Sequence, residues 1–244
     1  MPIKTFCGNE EILEIIAEIR PDFMKLKGSD RDIILGQHSQ DWSKYFTLLR
    51  GPIHPNLVKD FWKYALESED GNSIHSFVFD IPFAITPSSI ARAIGCTLAG
   101  VTVDEFRLNY TFMESFRDIF NLSFLRFEPN NPNRLSPTAK AWFNLLLKNL
   151  RPRETDKNVL SHEDKLFIYF LTKNIRINLP LTIFNHLKEC IKLSRGQHKS
   201  FIPYGRVLTE LFFKDEIVGL AKRLRPVEAY VEIRCKDVDN LLED

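Results

Sequence analysis

The residues that could do chemistry are few and scattered. Cys190 follows His186 by four positions, which places both on one face of a helix, the spacing a thiol–imidazole pair needs. A nucleophilic site also requires an orienting group and an oxyanion hole, and no motif supplies either. A surface histidine beside a core cysteine is therefore the favoured reading. His162-Glu163 opens like a zinc-protease helix, but Asp164, Lys165 and Leu166 follow, so the second histidine is missing. Asp80 closes the apolar run Ile74 to Phe79 and is the one carboxylate placed as two-metal enzymes place theirs. Phosphate loops, dinucleotide fingerprints and nucleophile elbows are absent from the sequence. The four cysteines, Cys7, Cys96, Cys190 and Cys235, lie far apart with no paired spacing, as reduced thiols do.

The cations carry more information. The 33 basic and 32 acidic residues nearly cancel, yet they are unevenly placed. Residues 1–133 hold 13 basic against 18 acidic side chains, residues 134–225 hold 18 against 8, and residues 226–244 hold 2 against 6. A basic block between two acidic ones points to a polyanionic partner or to association between unlike patches. Within it Lys140, Asn144, Lys148 and Arg151 recur at helical spacing opposite Trp142 and Leu146. Lys188, Lys192, Arg195 and Lys199 repeat the pattern, and Arg206 follows. Such a face binds phosphates through counterion release rather than base reading. A solvated helix surface is the competing explanation.

Helices must position these side chains. The Thr86-Pro87 and Ser136-Pro137 pairs read as an N-cap followed by proline in the first turn, and Gly95 as a stop. Ser161 with Asp164 reads as a capping box in which Asp replaces the usual Glu or Gln. Apolar stripes predict further helices over 9–19, from Asp41, from His54-Pro55, over 103–120, from Leu179-Pro180 and from Pro203. Phe61, Trp62 and Trp142 are expected in the core. Asp70-Gly71-Asn72-Ser73 is a turn. It leads into a strand at 73–79, which 80–85 continues or pairs with, Pro82 favouring an edge. Residues 227–233 alternate weakly, as a strand does. The expectation is a mainly α, multi-helical single domain with a small two-stranded β-hairpin-like element.

The order of these segments resembles a known family. His54-Pro-Asn-Leu-Val-Lys-Asp-Phe-Trp, then Phe77-Val-Phe79, then Ile85-Thr-Pro-Ser-Ser-Ile-Ala-Arg-Ala-Ile-Gly95 form its first half. Trp142 to Pro152, Leu166 to Leu171, Asn174 to Leu179 and Ile202 to Leu211 form its second. Together they are similar to the "putative plant transposon protein" domain of retroelement-associated plant reading frames, over about residues 50–220. The aminotransferase-like plant mobile domain shares the helix, strand and short capped helix and stands second. The resemblance implies a mobile-element origin and transfers no active-site residue. It divides the chain into an N-terminal helical extension (1–50), the family-like helical domain (51–225) and an acidic tail (226–244).

Together these readings predict a non-enzymatic binding or self-association domain without catalytic residues, cofactor, metal or small-molecule substrate. Nucleic acid and a second copy of the chain are the candidate partners. Lys140, Lys148, Arg151, Lys188, Lys192, Arg195, Lys199 and Arg206 are the candidate polyanion-binding residues. The alternative is a degenerate or unrecognised metal-dependent nuclease or transposase-type enzyme built around Asp80. No apolar run is long enough for a membrane span and an acidic segment follows the start, so an intracellular location, nucleus or cytoplasm and not secreted, is expected.

Overall fold

In the computed structural model, residues 2–6, 12–16, 18, 40–106, 115–120, 128, 130–153, 156–195, 199–229 and 231–234 are described. Among them nine α-helices and two small sheets give a mainly α fold with minor β. Helix α1 spans Ser43–Leu48 and α2 Pro55–Tyr64. Strands β3 (Leu66–Glu67), β4 (Ile74–Val78) and β5 (Ile81–Ile85) form an antiparallel meander. Helices α3 (Pro87–Ile94), α4 (Pro137–Leu145), α5 (His162–Thr172) and α6 (Leu179–Ser194) follow. The chain then runs through α7 (Gly205–Lys214), α8 (Ile217–Leu224) and α9 (Pro226–Ala229).

The local signals act where they were read. The Thr86 side chain accepts the Ser89 N–H at 3.1 Å, and the Ser89 hydroxyl answers the Thr86 N–H at 2.9 Å. Gly95 ends α3 in the left-handed region at φ 68°. Asp164 closes the expected box on Ser161 and does more. Its oxygens also accept from both terminal guanidinium nitrogens of Arg153, at 2.9 and 2.8 Å, with Asp164 fully buried. The shorter carboxylate therefore serves a cap and an ion pair together. Strand β4 alternates, with Ile74, Ser76 and Val78 inside and His75 and Phe77 outside. The 80–85 segment is its partner: β5 returns through a two-residue turn at Phe79 and Asp80, both at positive φ, and Pro82 lies on an edge strand.

Three elements differ from the sequence reading. The stripe at 9–19 contains a strand: β2 (Ile12–Ile16) pairs antiparallel with β1 (Pro2–Phe6) and parallel with β6 (Lys199–Ile202). Its isoleucines suit either structure, and a partner near the far end of the chain decides. Over 103–120 the described parts are short 3₁₀ turns at Asp104–Phe106 and Ser115–Ile119; residues 107–114 lie outside the described set. In the C-terminal stretch, α9 replaces the start of the expected strand. Among the described residues of that stretch only Ile233 pairs, as an isolated antiparallel bridge with Ile53.

One contiguous buried cluster runs from Ile15 to Ala229 and contains Phe61, Trp62 and Trp142, as expected. Helix α4 does not end cleanly. It passes into a π-turn over Leu146–Leu150, and the Arg151 N–H reaches back to the Leu146 carbonyl at 2.8 Å. The wider turn leaves carbonyls for two buried tyrosines: Tyr45 donates to Asn149 at 2.8 Å and Tyr204 to Leu150 at 2.7 Å. These bonds tie α1 and the start of α7 to the end of α4.

Candidate functional site

The predicted cations divide by what they touch. Lys140 and Lys148 stand exposed on α4 and the π-turn that continues it, Lys140 reaching Asn133 Oδ1 at 3.3 Å. Lys188, Lys192 and Arg195 converge on the region of β3. Lys188 contacts Glu67 at 3.2 Å and the Gly71 carbonyl at 2.9 Å, Lys192 contacts Glu67 at 2.5 Å, and Arg195 donates to the Ala65 carbonyl at 2.7 Å. The Lys192 hydrogen bond, helped by Lys188, holds the Glu67 carboxyl below its ordinary range. Lys192 and Arg195 remain exposed, whereas Lys188 lies largely under the Glu67 side chain and over the Phe184 ring. Lys199 belongs to β6, and its side chain is outside the described residues.

Two arginines are structural. Arg151 bridges Glu163 and Glu189, with only 14% of its side chain exposed. Burial opposes its charge, and the two carboxylates outweigh that cost and raise its pKa. Arg206 is 2% exposed and points inward, to the carbonyls of Glu18 and Gly51. A side chain committed to buried carbonyls cannot reach a phosphate, so Arg206 leaves the candidate surface. Nothing in the spacing foretells this, because helical spacing says which residues share a face and not which face is covered.

The Cys190–His186 pair does form, and a third group joins it. His186 Nε2 lies 3.4 Å from Cys190 Sγ, and Nδ1 lies 2.8 Å from the Tyr204 hydroxyl. Tyr204 spends its proton on the Leu150 carbonyl, so it accepts from His186 Nδ1–H; Nε2 is then left to accept from the thiol. Burial holds both groups toward their neutral forms. Burial and nearby Glu189 push the Cys190 thiol up to about 12. Burial, with Arg151 and Arg153 adding to it, holds the His186 pKa well below its ordinary value. A catalytic dyad requires the opposite, a stabilised thiolate beside an imidazolium. Tyr204 was missed because it sits one element away in sequence.

Asp80 is at the tip of the β4–β5 hairpin, 87% exposed, with Arg225 at 2.9 Å. Its neighbour Phe79 is held by Asp60, which accepts the Phe79 N–H at 2.5 Å, and by the Arg225 guanidinium over its ring. Among the described residues no three His, Cys, Asp or Glu side chains are grouped to hold a metal ion. Nor is any described helix long and apolar enough to cross a membrane.

The segments that build this framework, from Gln40 through α7, coincide with a family profile described as "Putative plant retrotransposon-related domain", which matches residues 38–217. The chain belongs to this family. It is a mobile-element-derived plant protein, as the order of its helices and hairpin implied. The retrotransposon-related region takes in the π-turn, the Cys190–His186–Tyr204 cluster and all eight predicted cations, and it leaves β1, β2 and Glu18 outside. No curated protein and no solved structure matches the chain.

Proposed function

We propose that this retrotransposon-related domain is a non-enzymatic binding module that contacts nucleic acid through the exposed cations of residues 134–225. The observation that carries the reading is the surplus of 18 basic over 8 acidic residues in that block. Internal bonding consumes part of it, through Arg151, Arg153, Lys188 and Arg206 among others; Lys140, Lys148 and Arg223 face solvent, and Lys192 and Arg195 stay exposed although they bond to Glu67 and to the Ala65 carbonyl. Cations on separate helices suit a phosphate backbone, which offers charge at regular intervals and demands no single pocket. The pull of both Cys190 and buried His186 toward their neutral forms, and the Asp80–Arg225 contact, favour binding over catalysis.

Self-association is a second reading. The specific observation for it is that β2 and Glu18 lie outside the matched region and yet complete a sheet and a helix end inside it. Charge reversal tests the first reading. Lys140→Glu with Lys148→Glu weakens binding to a labelled RNA or DNA oligonucleotide by at least about tenfold at low salt, and leaves the urea midpoint unchanged. Equal binding by the variant and the parent chain removes the assignment.

A further inference from the structure

Helix α7 begins without a cap of its own. Its first flanking residue, Tyr204, adopts a left-handed conformation at φ 60° and makes no side-chain cap hydrogen bond. The cap comes from the other end of the chain. Glu18 Oε2 accepts the Arg206 N–H at 3.0 Å and Oε1 accepts the Val207 N–H at 3.2 Å. A carboxylate there answers both the orphan N–H groups and the positive end of the helix. Arg206 turns back beneath it and donates to the Glu18 and Gly51 carbonyls. Just before Glu18, Ile15 pairs with Ile202 of β6, and its Cγ2 lies only 2.7 Å from where a Cβ on residue 205 would stand. Only glycine lets the strand settle this close. Ile15, Glu18 and Arg206 are all almost fully buried.

The slot and its occupant have separate origins in the chain. Every wall residue, Gly51, Ile53, Ile202 and Tyr204 to Val207, falls within the family match at 38–217, whereas residues 12–18 precede it. Residues 19–39 join the two, a contour of up to about 70 Å for 21 residues. That span is enough for residues 12–18 to reach the slot of a neighbouring copy, at a cost set by concentration.

We propose that the slot between β6 and the N-terminus of α7 is a docking site for a β-strand carrying an isoleucine and, three residues on, a carboxylate. In self-association it receives residues 12–18 of a second copy in place of its own. This rests on the self-association reading and gives it a route, exchange of an identical strand. The contacts are the same in both arrangements, so concentration alone shifts the balance.

The test uses register. Leu13 and Ser200 are Cα partners across β2 and β6. Full-length chains carrying Leu13→Cys alone and Ser200→Cys alone are mixed, oxidised mildly and mapped by peptide mass spectrometry. Exchange yields a covalent dimer joined from position 13 of one copy to position 200 of the other. Its yield rises with concentration, and falls about tenfold when Glu18→Lys is added to the Leu13→Cys chain. If a chain bearing both cysteines closes the link internally at every concentration and the mixture never forms it, the strand stays at home and the proposal fails. If neither forms the link, the slot itself is wrong. Light scattering on the unaltered chain separates the readings. Dimers without the link leave self-association standing and remove strand exchange, while a monomer at all concentrations removes both.

Discussion

His186 shares its two ring nitrogens between Tyr204 and Cys190, and the pocket keeps the ring uncharged. Buried His54 is shifted the same way, chiefly by burial and then by Lys222. Both pKa values are lower in the folded chain than in the unfolded one. Unfolded histidines therefore take up protons near pH 6.5 while the native ones do not, and stability falls as pH drops below that value. The urea midpoint should be lower at pH 5 than at pH 7.5, and His186→Gln should show a smaller drop than the parent chain. An equal drop in the variant would show that His186 contributes nothing. Asp164 is the second residue with a clear energetic consequence. Asp164→Ala removes a cap and strands Arg153, which should cost about 3 kcal/mol by chemical denaturation. A loss below about 1 kcal/mol would mean that water replaces the carboxylate without penalty.

Among the elements, α2 carries a large share of the core packing. It presents Leu57, Val58, Phe61 and Trp62 to the core, where Phe61 meets Phe83 of β5 and Phe212 of α7. Trp62→Ala should cost about 3–5 kcal/mol, and an unchanged denaturation midpoint would place the helix at the periphery. This helix was legible in the sequence because its signal is local: a proline start, a stripe and the packing residues in one stretch. The capped starts of α3, α4 and α5 were legible for the same reason, as was the β4–β5 hairpin. What was hidden depends on distant partners. Strand β2 needs β6, the cap on α7 needs Glu18, and the π-turn at 146–150 supplies carbonyls to Tyr45 and Tyr204. Periodicity reports which face is apolar and is silent on what covers it. That is why spacing could group the cations and could not show that Arg206 among them is buried.

For the whole molecule the near-neutral net charge of +1 describes no part of the surface. Family membership accounts for the order of elements and the origin of the chain, and the charge distribution is what gives the binding reading its content. A phosphate-backbone interface has a quantitative signature: each contact releases counterions, so affinity falls steeply and linearly on a logarithmic salt scale. The direct measurement is fluorescence anisotropy of a labelled duplex titrated with the full-length chain between low and physiological salt. The account predicts a slope of log affinity against log salt that is clearly negative. It also predicts that Lys140→Glu with Lys148→Glu makes the slope shallower by about 2, since each lost phosphate contact removes about 0.9. No binding at the lowest salt, or a slope that the two substitutions leave unchanged, would contradict it.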